Sequence, residues 1–175
     1  MHTRSFSSSV PVPALGSWRQ AASACGFTID PVLREVGINP HDPQVPLRVP
    51  PASLFKAFSM CVERARTHHF PFALGENFVF EHFTEFDNFV DSCSSLREIL
   101  ELAGWAREVI APWMSLRLDE FGAEAHLRVV VSVPGQDPFA TKARQYLPEA
   151  AAYSLTRWKN VMLSAGIYQF AQRRP

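Results

Sequence analysis

Apolar residues recur at helical spacing near the start of the chain. From Ala14 to Cys25 they predict a first helix, and Gly26 is typical of a helix end. Asp30 stands before a proline, which predicts an N-cap followed by proline at the first helical position. The short second helix is expected from Val32 to Val36, and Gly37 ends it. The two helices therefore predict a helical hairpin.

Prolines punctuate the next part of the chain. Residues Asn39 to Pro51 include five prolines, which remove the backbone donors that a helix or a central strand needs and so predict an extended connector. Two consecutive prolines at its end, Pro50 and Pro51, predict the start of a third helix that runs to about His69. This helix is strongly amphipathic, because its apolar residues form one stripe: Leu54, Phe55, Phe58, Cys61, Val62 and Ala65.

The second half of the chain begins with a capping signal. Ser95 and Glu98 form a capping-box pattern, which predicts a helix through about Ile110 that Pro112 ends. One or two helical turns are also expected to begin near Thr84, where phenylalanines occur at a spacing of three residues. The capped helix is the better defined of the two elements.

Two alternating segments then predict a β-hairpin. Trp113 to Leu118 and Ala125 to Val133 alternate in polarity, with Asp119 to Glu124 between them. Three consecutive valines, Val129 to Val131, predict burial on both faces of the second strand. A last helix is expected from about Thr141 toward Phe170, with interruptions at Pro148 and Gly166.

These elements predict an α+β fold, in which several amphipathic helices pack around a small antiparallel sheet that includes the hairpin near 113–133. A length of 175 residues fits one domain. Residues 1–13 are serine-rich and lack a signal-peptide core, so we expect a disordered leader. We expect no membrane span, because no segment approaches about 18 consecutive apolar residues.

The composition narrows the possible functions. Seventeen Lys and Arg residues balance seventeen Asp and Glu residues, so no overall field attracts the chain to nucleic acid or to anionic lipid. The three cysteines are widely spaced and odd in number, which favours structural thiols in a reducing, cytoplasmic compartment. Autonomous DNA binding is therefore not expected.

Motifs for catalysis are missing from the sequence. No glycine motif for phosphate and no GxSxG serine motif occurs, so we expect no nucleotide cofactor and no nucleophilic serine. His68 and His69 are adjacent, which favours a solvent-facing pair at a helix end over a metal site. Glu81, His82 and Glu85 have no second histidine at matching spacing. We expect no catalytic residue, no metal and no cofactor, unless tertiary contacts assemble a site that the linear sequence does not show.

Six phenylalanines occur within the 18 residues from Phe72 to Phe89. They favour either core packing or the wall of an apolar ligand cavity, and the sequence leaves both open. Arg107 is a candidate to pair with a carboxylate, although a solvated surface charge is the alternative. The candidate ligand-binding residues are Phe78, Phe80, His82, Phe83, Phe86, Phe89, Trp105, Arg107 and Trp113.

The order of these segments resembles a known family. It follows the run from Leu15 to Ile38, the Val45-Pro46-Leu47 connector, the proline-led third helix, Pro71-Phe72-Ala73-Leu74-Gly75 and Ser94-Ser95-Leu96-Arg97-Glu98-Ile99-Leu100. This order is similar to the N-terminal effector domain of AraC-type transcription regulators, in the subgroup labelled "arabinose-binding domain of AraC transcription regulator" that occurs with ornithine-utilisation and VirS-type regulators. The hairpin and the last helix extend the resemblance over residues 14–170.

The resemblance implies a bacterial ligand sensor and homodimer. Residues 14–170 would form the effector-binding and dimerisation domain, and residues 171–175 would begin a linker to a missing C-terminal helix-turn-helix domain that contacts DNA. The phenylalanines favour a hydrophobic or aromatic carboxylate as effector over a sugar. The alternative is a dimerisation-only module without a small ligand. The candidate dimerisation residues are Tyr153, Arg157, Trp158 and Val161.

Overall fold

The computed structural model describes residues 9–12, 15–42, 47–79, 85, 88–89, 92–95, 97–102, 104, 114–121, 124–131 and 138–151. In these ranges the fold is mixed α+β, as the sequence pattern predicts, with helices and two small two-stranded antiparallel sheets. No helix among the described residues is long and apolar enough to cross a membrane.

The first two helices are α1 (Leu15–Ala24) and α2 (Asp30–Glu35). Both end at the predicted glycines, because Gly26 and Gly37 adopt φ of 80° and 77°, a left-handed conformation that favours glycine. The predicted N-cap at Asp30 is wrong. Ile29 occupies the cap position, and the Asp30 carboxylate instead lies 3.5 Å from the Arg19 guanidinium.

Two further helices follow, α3 (Pro51–Arg64) and α4 (Phe70–Glu76). Helix α3 starts where its prolines predict, but it ends about five residues before His69. The chain becomes extended at Ala65, because the next amide, that of Arg66, donates a hydrogen bond of 3.0 Å to the carbonyl of Cys25 instead of continuing the helix. Helix α4 was not predicted from the sequence.

A short sheet joins the N-terminal segment to the connector. Strand β1 (Val10–Pro11) pairs antiparallel with β2 (Arg48–Val49). The Val12 amide extends this contact by donating to the carbonyl of Leu47 at 2.7 Å. The expectation of a disordered leader is therefore wrong for residues 9–12, because Val10 and Val12 are buried and contribute apolar area that stabilises the ordered strand.

The predicted hairpin is present as β3 (Met114–Phe121) and β4 (Glu124–Val131), with Met114 opposite Val131. Its strands are longer and its connection is shorter than predicted, because only two residues separate the strand ends. Burial of the valine run on both faces is wrong: Val130 is 40% exposed. Met114 and Val131 pack against the core at the open end of the hairpin, and β3 and β4 otherwise contact mainly each other.

Residues 138–151 are helical. The helix begins three residues before the predicted start and continues through Pro148 without the predicted interruption. Buried residues on both sides of the proline, Leu147 and Ala150, hold the chain against the core and compensate for the missing amide donor. The other predicted interruption, Gly166, lies outside the described residues.

The core of the described residues centres on three aromatic side chains from α1, α3 and α4. Trp18, Phe58 and Phe70 meet edge to face, with ring centroids 5.9 to 6.0 Å apart. Phe58 and Phe70 are fully buried. Edge-to-face rings of this kind stabilise a core beyond their buried area, so this triangle fixes how the three helices pack.

Candidate functional site

The phenylalanine-rich stretch is the first candidate site, and its described phenylalanines are Phe72, Phe78 and Phe89. Phe72 lies on α4 and is 40% exposed, Phe78 is half-buried just after α4, and Phe89 is 58% exposed. The chain after α4 is tied to α1, because the Val79 amide donates a hydrogen bond of 3.1 Å to the hydroxyl of the buried Ser17. Core packing thus does not account for Phe72 or Phe89.

Most of the predicted ligand-binding residues lie outside the described residues, so their convergence stays a prediction. These residues are Phe80, His82, Phe83, Phe86, Trp105, Arg107 and Trp113. The candidate dimerisation residues Tyr153, Arg157, Trp158 and Val161 also lie outside them.

The predicted capping box is present at the start of the helical residues 97–102. The Glu98 amide donates to the Ser95 hydroxyl at 3.2 Å, as a capping box requires. The Glu98 carboxylate reaches one residue further back than the usual pattern and accepts from the amide of Ser94 at 2.7 Å. This backbone hydrogen bond and those from the Ser94 hydroxyl lower the pKa of Glu98.

Two residues just before the capping box contact the end of the phenylalanine-rich stretch. The carbonyl of Phe89 accepts a hydrogen bond from the Ser92 hydroxyl at 2.8 Å and one from the Cys93 thiol at 3.2 Å. The exposed Phe89 ring is therefore carried by a backbone that is fixed on its C-terminal side.

A second cluster surrounds His69, which precedes α4. Its Nε2 lies 2.7 Å from a carboxylate oxygen of Glu149 on the 138–151 helix. Two other rings pack edge to face with the imidazole, with centroid distances of 4.8 Å to Phe72 and 5.4 Å to Tyr146. The cluster therefore joins α4 to the C-terminal part of the described chain.

The interpretation of His68 and His69 as a pair at a helix C-terminus is wrong. His69 is the N-cap residue of α4, and the Nδ1 of His68 lies 3.1 Å from the carbonyl of Ala24 at the end of α1. Pro71 was the signal that sequence reasoning missed, because a proline at the second helical position predicts a helix start at residue 70.

Helix α3 provides the other anchor points for the 138–151 helix. The Ser59 hydroxyl donates to the carbonyl of Phe139 at 2.9 Å, and the ammonium of Lys56 lies 5.4 Å from the centroid of the Phe139 ring. Lys142 forms an ion pair with Glu63. The buried face of the helix consists mostly of alanines, which allow a close approach to the core but bury little area: Ala140, Ala143, Leu147 and Ala150.

The cysteines have the properties expected of structural thiols. Cys25 and Cys61 are free and fully buried, and burial raises the pKa of both thiols. A raised pKa keeps the thiol protonated, and the protonated form is a poor nucleophile. Within the described ranges, no group of three His, Cys, Asp or Glu residues is arranged to hold a metal ion.

Comparison with known proteins gives a short similarity to a flavin-dependent enzyme. No protein-family model matches the chain, and no solved structure matches it. A stretch of 46 residues, 26% of this chain, is 44% identical to the FAD-containing monooxygenase EthA of two Mycobacterium tuberculosis strains, CDC 1551 / Oshkosh and ATCC 25618 / H37Rv. The same figures apply to EthA of Mycobacterium bovis. The stretch spans 9% of the length of these monooxygenases.

Proposed function

We propose that this chain is the effector-binding and dimerisation domain of a bacterial AraC-type transcription regulator, and that it controls DNA binding by a C-terminal helix-turn-helix domain. The order of elements supports the proposal. The elements follow one another in the order that the resemblance implies: the helix pair α1 and α2, the connector with β2, the proline-led α3, the capped helical residues 97–102 and the hairpin.

The attachment of the 138–151 helix supports a regulatory role for the domain. Its anchors are a few side-chain contacts at α3 and at His69, with a mostly alanine face beneath them. The same histidine contacts Phe72, the first ring of the phenylalanine-rich stretch. An effector that contacts this stretch changes the contacts of α4 and, through His69, those of Glu149 on the 138–151 helix. It thereby favours one position of this helix, which leads toward the DNA-binding domain.

The proposed effector is a hydrophobic or aromatic carboxylate. Phe72 and Phe89 offer exposed rings at the two ends of the stretch, which suit the apolar body of such a ligand. Arg107 is the proposed partner of the carboxylate, since a guanidinium pairs with that group through two parallel hydrogen bonds.

We propose no enzymatic role. Burial raises the pKa of the Cys25 and Cys61 thiols, which keeps both thiols protonated and makes them unsuitable nucleophiles. The similarity to the monooxygenases covers too little of those proteins to bring their FAD chemistry to this chain.

A thermal-shift screen tests the proposed function. The purified chain is heated with medium-chain fatty acids, aromatic acids, amino acids and sugars, and we expect a rise in Tm with the first two classes only, because a ligand that binds the folded state stabilises it. Arg107→Gln should remove the shift, and the control Arg66→Gln, at an exposed position outside the proposed site, should keep it. Stabilisation by sugars alone would contradict the effector class. A dimer that no ligand class stabilises would favour the dimerisation-only alternative.

A further inference from the structure

The β3–β4 hairpin carries an unusual arrangement of charge. Arg117 and Arg128 lie directly opposite each other in the strand register, and both are exposed. Like charges that face each other across a strand pair are destabilising. Asp119 lies 3.4 Å from the Arg128 guanidinium and compensates that charge. Among the described residues, no carboxylate lies within ion-pair distance of Arg117.

The outer edge of β3 is suited to pairing with another strand. In the part of the chain that the structure describes, β3 pairs with β4 alone. Its eight residues include no proline and no lysine, which commonly protect the edge of a sheet, although they include three charged residues, Arg117, Asp119 and Glu120. Phe121 at one end of the strand is 63% exposed. Among the described residues no other strand pairs with this edge, and an edge of this length is a template for an added strand.

Symmetry restricts the register in which two copies of β3 can pair. Two antiparallel copies in one continuous sheet are related by a twofold axis perpendicular to the sheet, so one residue must lie opposite itself. Two central registers each overlap seven residues of the strand. A register centred on Arg117 sets this arginine against its own copy. A register centred on Leu118 sets Arg117 of each copy opposite Asp119 of the other.

We propose that two copies of this chain associate through β3 in the register centred on Leu118, which forms a four-stranded antiparallel sheet with two Arg117–Asp119 ion pairs across the twofold axis. Directly opposite residues in an antiparallel pair have Cβ atoms about 4.5–5.5 Å apart, a separation that an arginine and an aspartate span with an ion pair. Each Asp119 then lies between two guanidinium groups, that of Arg128 in its own copy and that of Arg117 in the other copy. Both arginines of each hairpin therefore have a carboxylate partner, which offsets the repulsion between Arg117 and Arg128. The pairing rests on the dimerisation named in the proposed function, for which it specifies the surface, and not on the effector role.

Charge exchange between the two positions tests the proposal. Sedimentation equilibrium of the wild-type chain should show a dimer. Arg117→Asp and Asp119→Arg should each weaken self-association at least about tenfold, because each replaces two attractive pairs by two repulsive ones. An equimolar mixture of the two variants should restore the dimer, since aspartate at 117 of one copy then faces arginine at 119 of the other. Arg66→Asp, which makes the same charge change at an exposed position outside the hairpin, should leave the association constant unchanged.

Other outcomes would overturn the pairing. These are a wild-type chain that stays monomeric at its highest soluble concentration, or a dimer that neither charge variant weakens. A mixture that stays monomeric while both variants keep the wild-type far-UV circular dichroism would do so as well. If Arg117→Asp does not fold, Arg117→Gln serves instead, with an expected several-fold loss of association. A dimer that neither charge variant weakens would overturn the pairing but keep the dimerisation of the proposed function, and ligand stabilisation in the thermal-shift screen does not depend on these variants, so the two failures are distinguishable.

Discussion

The hydroxyl of Ser59 donates a 2.9 Å hydrogen bond to the carbonyl oxygen of Phe139, eighty residues further along the chain. Ser59 is fully buried in α3, and Phe139 lies in the first turn of the 138–151 helix. The bond fixes the position along α3 at which the 138–151 helix starts. Since Ser59 is fully buried, its hydroxyl exchanges a contact with water for this one bond when the protein folds.

Ser59→Ala should therefore lower the free energy of unfolding by about 0.5–1.5 kcal/mol, the usual net contribution of a hydrogen bond. Urea unfolding followed by circular dichroism measures the change. Ser23→Ala, at an exposed position of α1, is the matched control and should change stability by less than about 0.5 kcal/mol. Equal effects of the two substitutions would show that the Phe139 contact does not contribute to stability.

The glycine that ends α2 should not tolerate a side chain. Gly37 has φ of 77°, so Gly37→Ala should destabilise the protein by about 1 kcal/mol through backbone strain, although no atom lies within 4 Å of the added Cβ. Gly104→Ala is the control, because this helical glycine also has open space around it and alanine is about 1 kcal/mol better in a helix. The two substitutions should move the thermal midpoint in opposite directions, and a shift of the same sign would contradict the assignment of Gly37.

The capping box should lower the measured pKa of the Glu98 side chain. Hydrogen bonds from the Ser94 amide and hydroxyl lower the pKa of Glu98 below 4.5, so its carboxylate favours the folded state above that pH. This contribution should fade as the pH falls through the lowered folded pKa, since the protonated carboxyl is a poorer acceptor. NMR titration of the Glu98 side chain should give a pKa below 4.5, and Ser94→Ala should raise it part of the way back. A pKa unchanged by this substitution would rule out the hydroxyl as a cause.

The His69 cluster should hold the end of the 138–151 helix. His69→Ala removes the contact with Glu149 and the ring contacts with Phe72 and Tyr146, so amide hydrogen exchange should accelerate in residues 146–151. The global free energy of unfolding should fall by no more than about 1 kcal/mol, because the pair is partly exposed. His41→Ala, which removes a more exposed histidine beside Asp30, should leave exchange in the helix unchanged.

Thiol reactivity should separate the cysteines. The pKa values of all three thiols are raised, but Cys25 and Cys61 are fully buried while Cys93 is half-buried. In native protein at pH 8, Ellman's reagent should therefore react with one thiol faster than with the other two, because only Cys93 is accessible, and Cys93→Ser should abolish that phase. All three thiols should react in denaturant. A fast native phase that persists in Cys93→Ser would show that a buried thiol becomes accessible.

The features predicted correctly from the sequence depend on local chemistry. Gly26 and Gly37 end helices because each adopts a left-handed conformation that other residues rarely adopt. Each glycine lies within two residues of the helix that it ends, so the signal is local in sequence. Ser95 and Glu98 cap a helix through bonds between residues three apart. The hairpin follows from alternation in two neighbouring segments, with the strand ends two residues apart.

The features missed depend on contacts between distant residues. Val10 is ordered by Val49, and α3 ends early because Arg66 bonds to Cys25. Val130 is exposed because burial on both faces requires layers on both sides of the hairpin, which a valine run alone does not provide. The candidate ligand site was anticipated only as a list of residue types, and its Arg107 and Trp105 lie outside the described residues.

The β1–β2 pair has a consequence for synthesis of the chain on the ribosome. Val10 is made about forty residues before its partner Val49, so β1 must wait while α1 and α2 emerge. Both helices therefore lie within a loop that closes only when β2 appears, and their own folding shortens the flexible length to be closed. The N-terminal strand is thus among the first residues translated but should be among the last of this region to reach its final place.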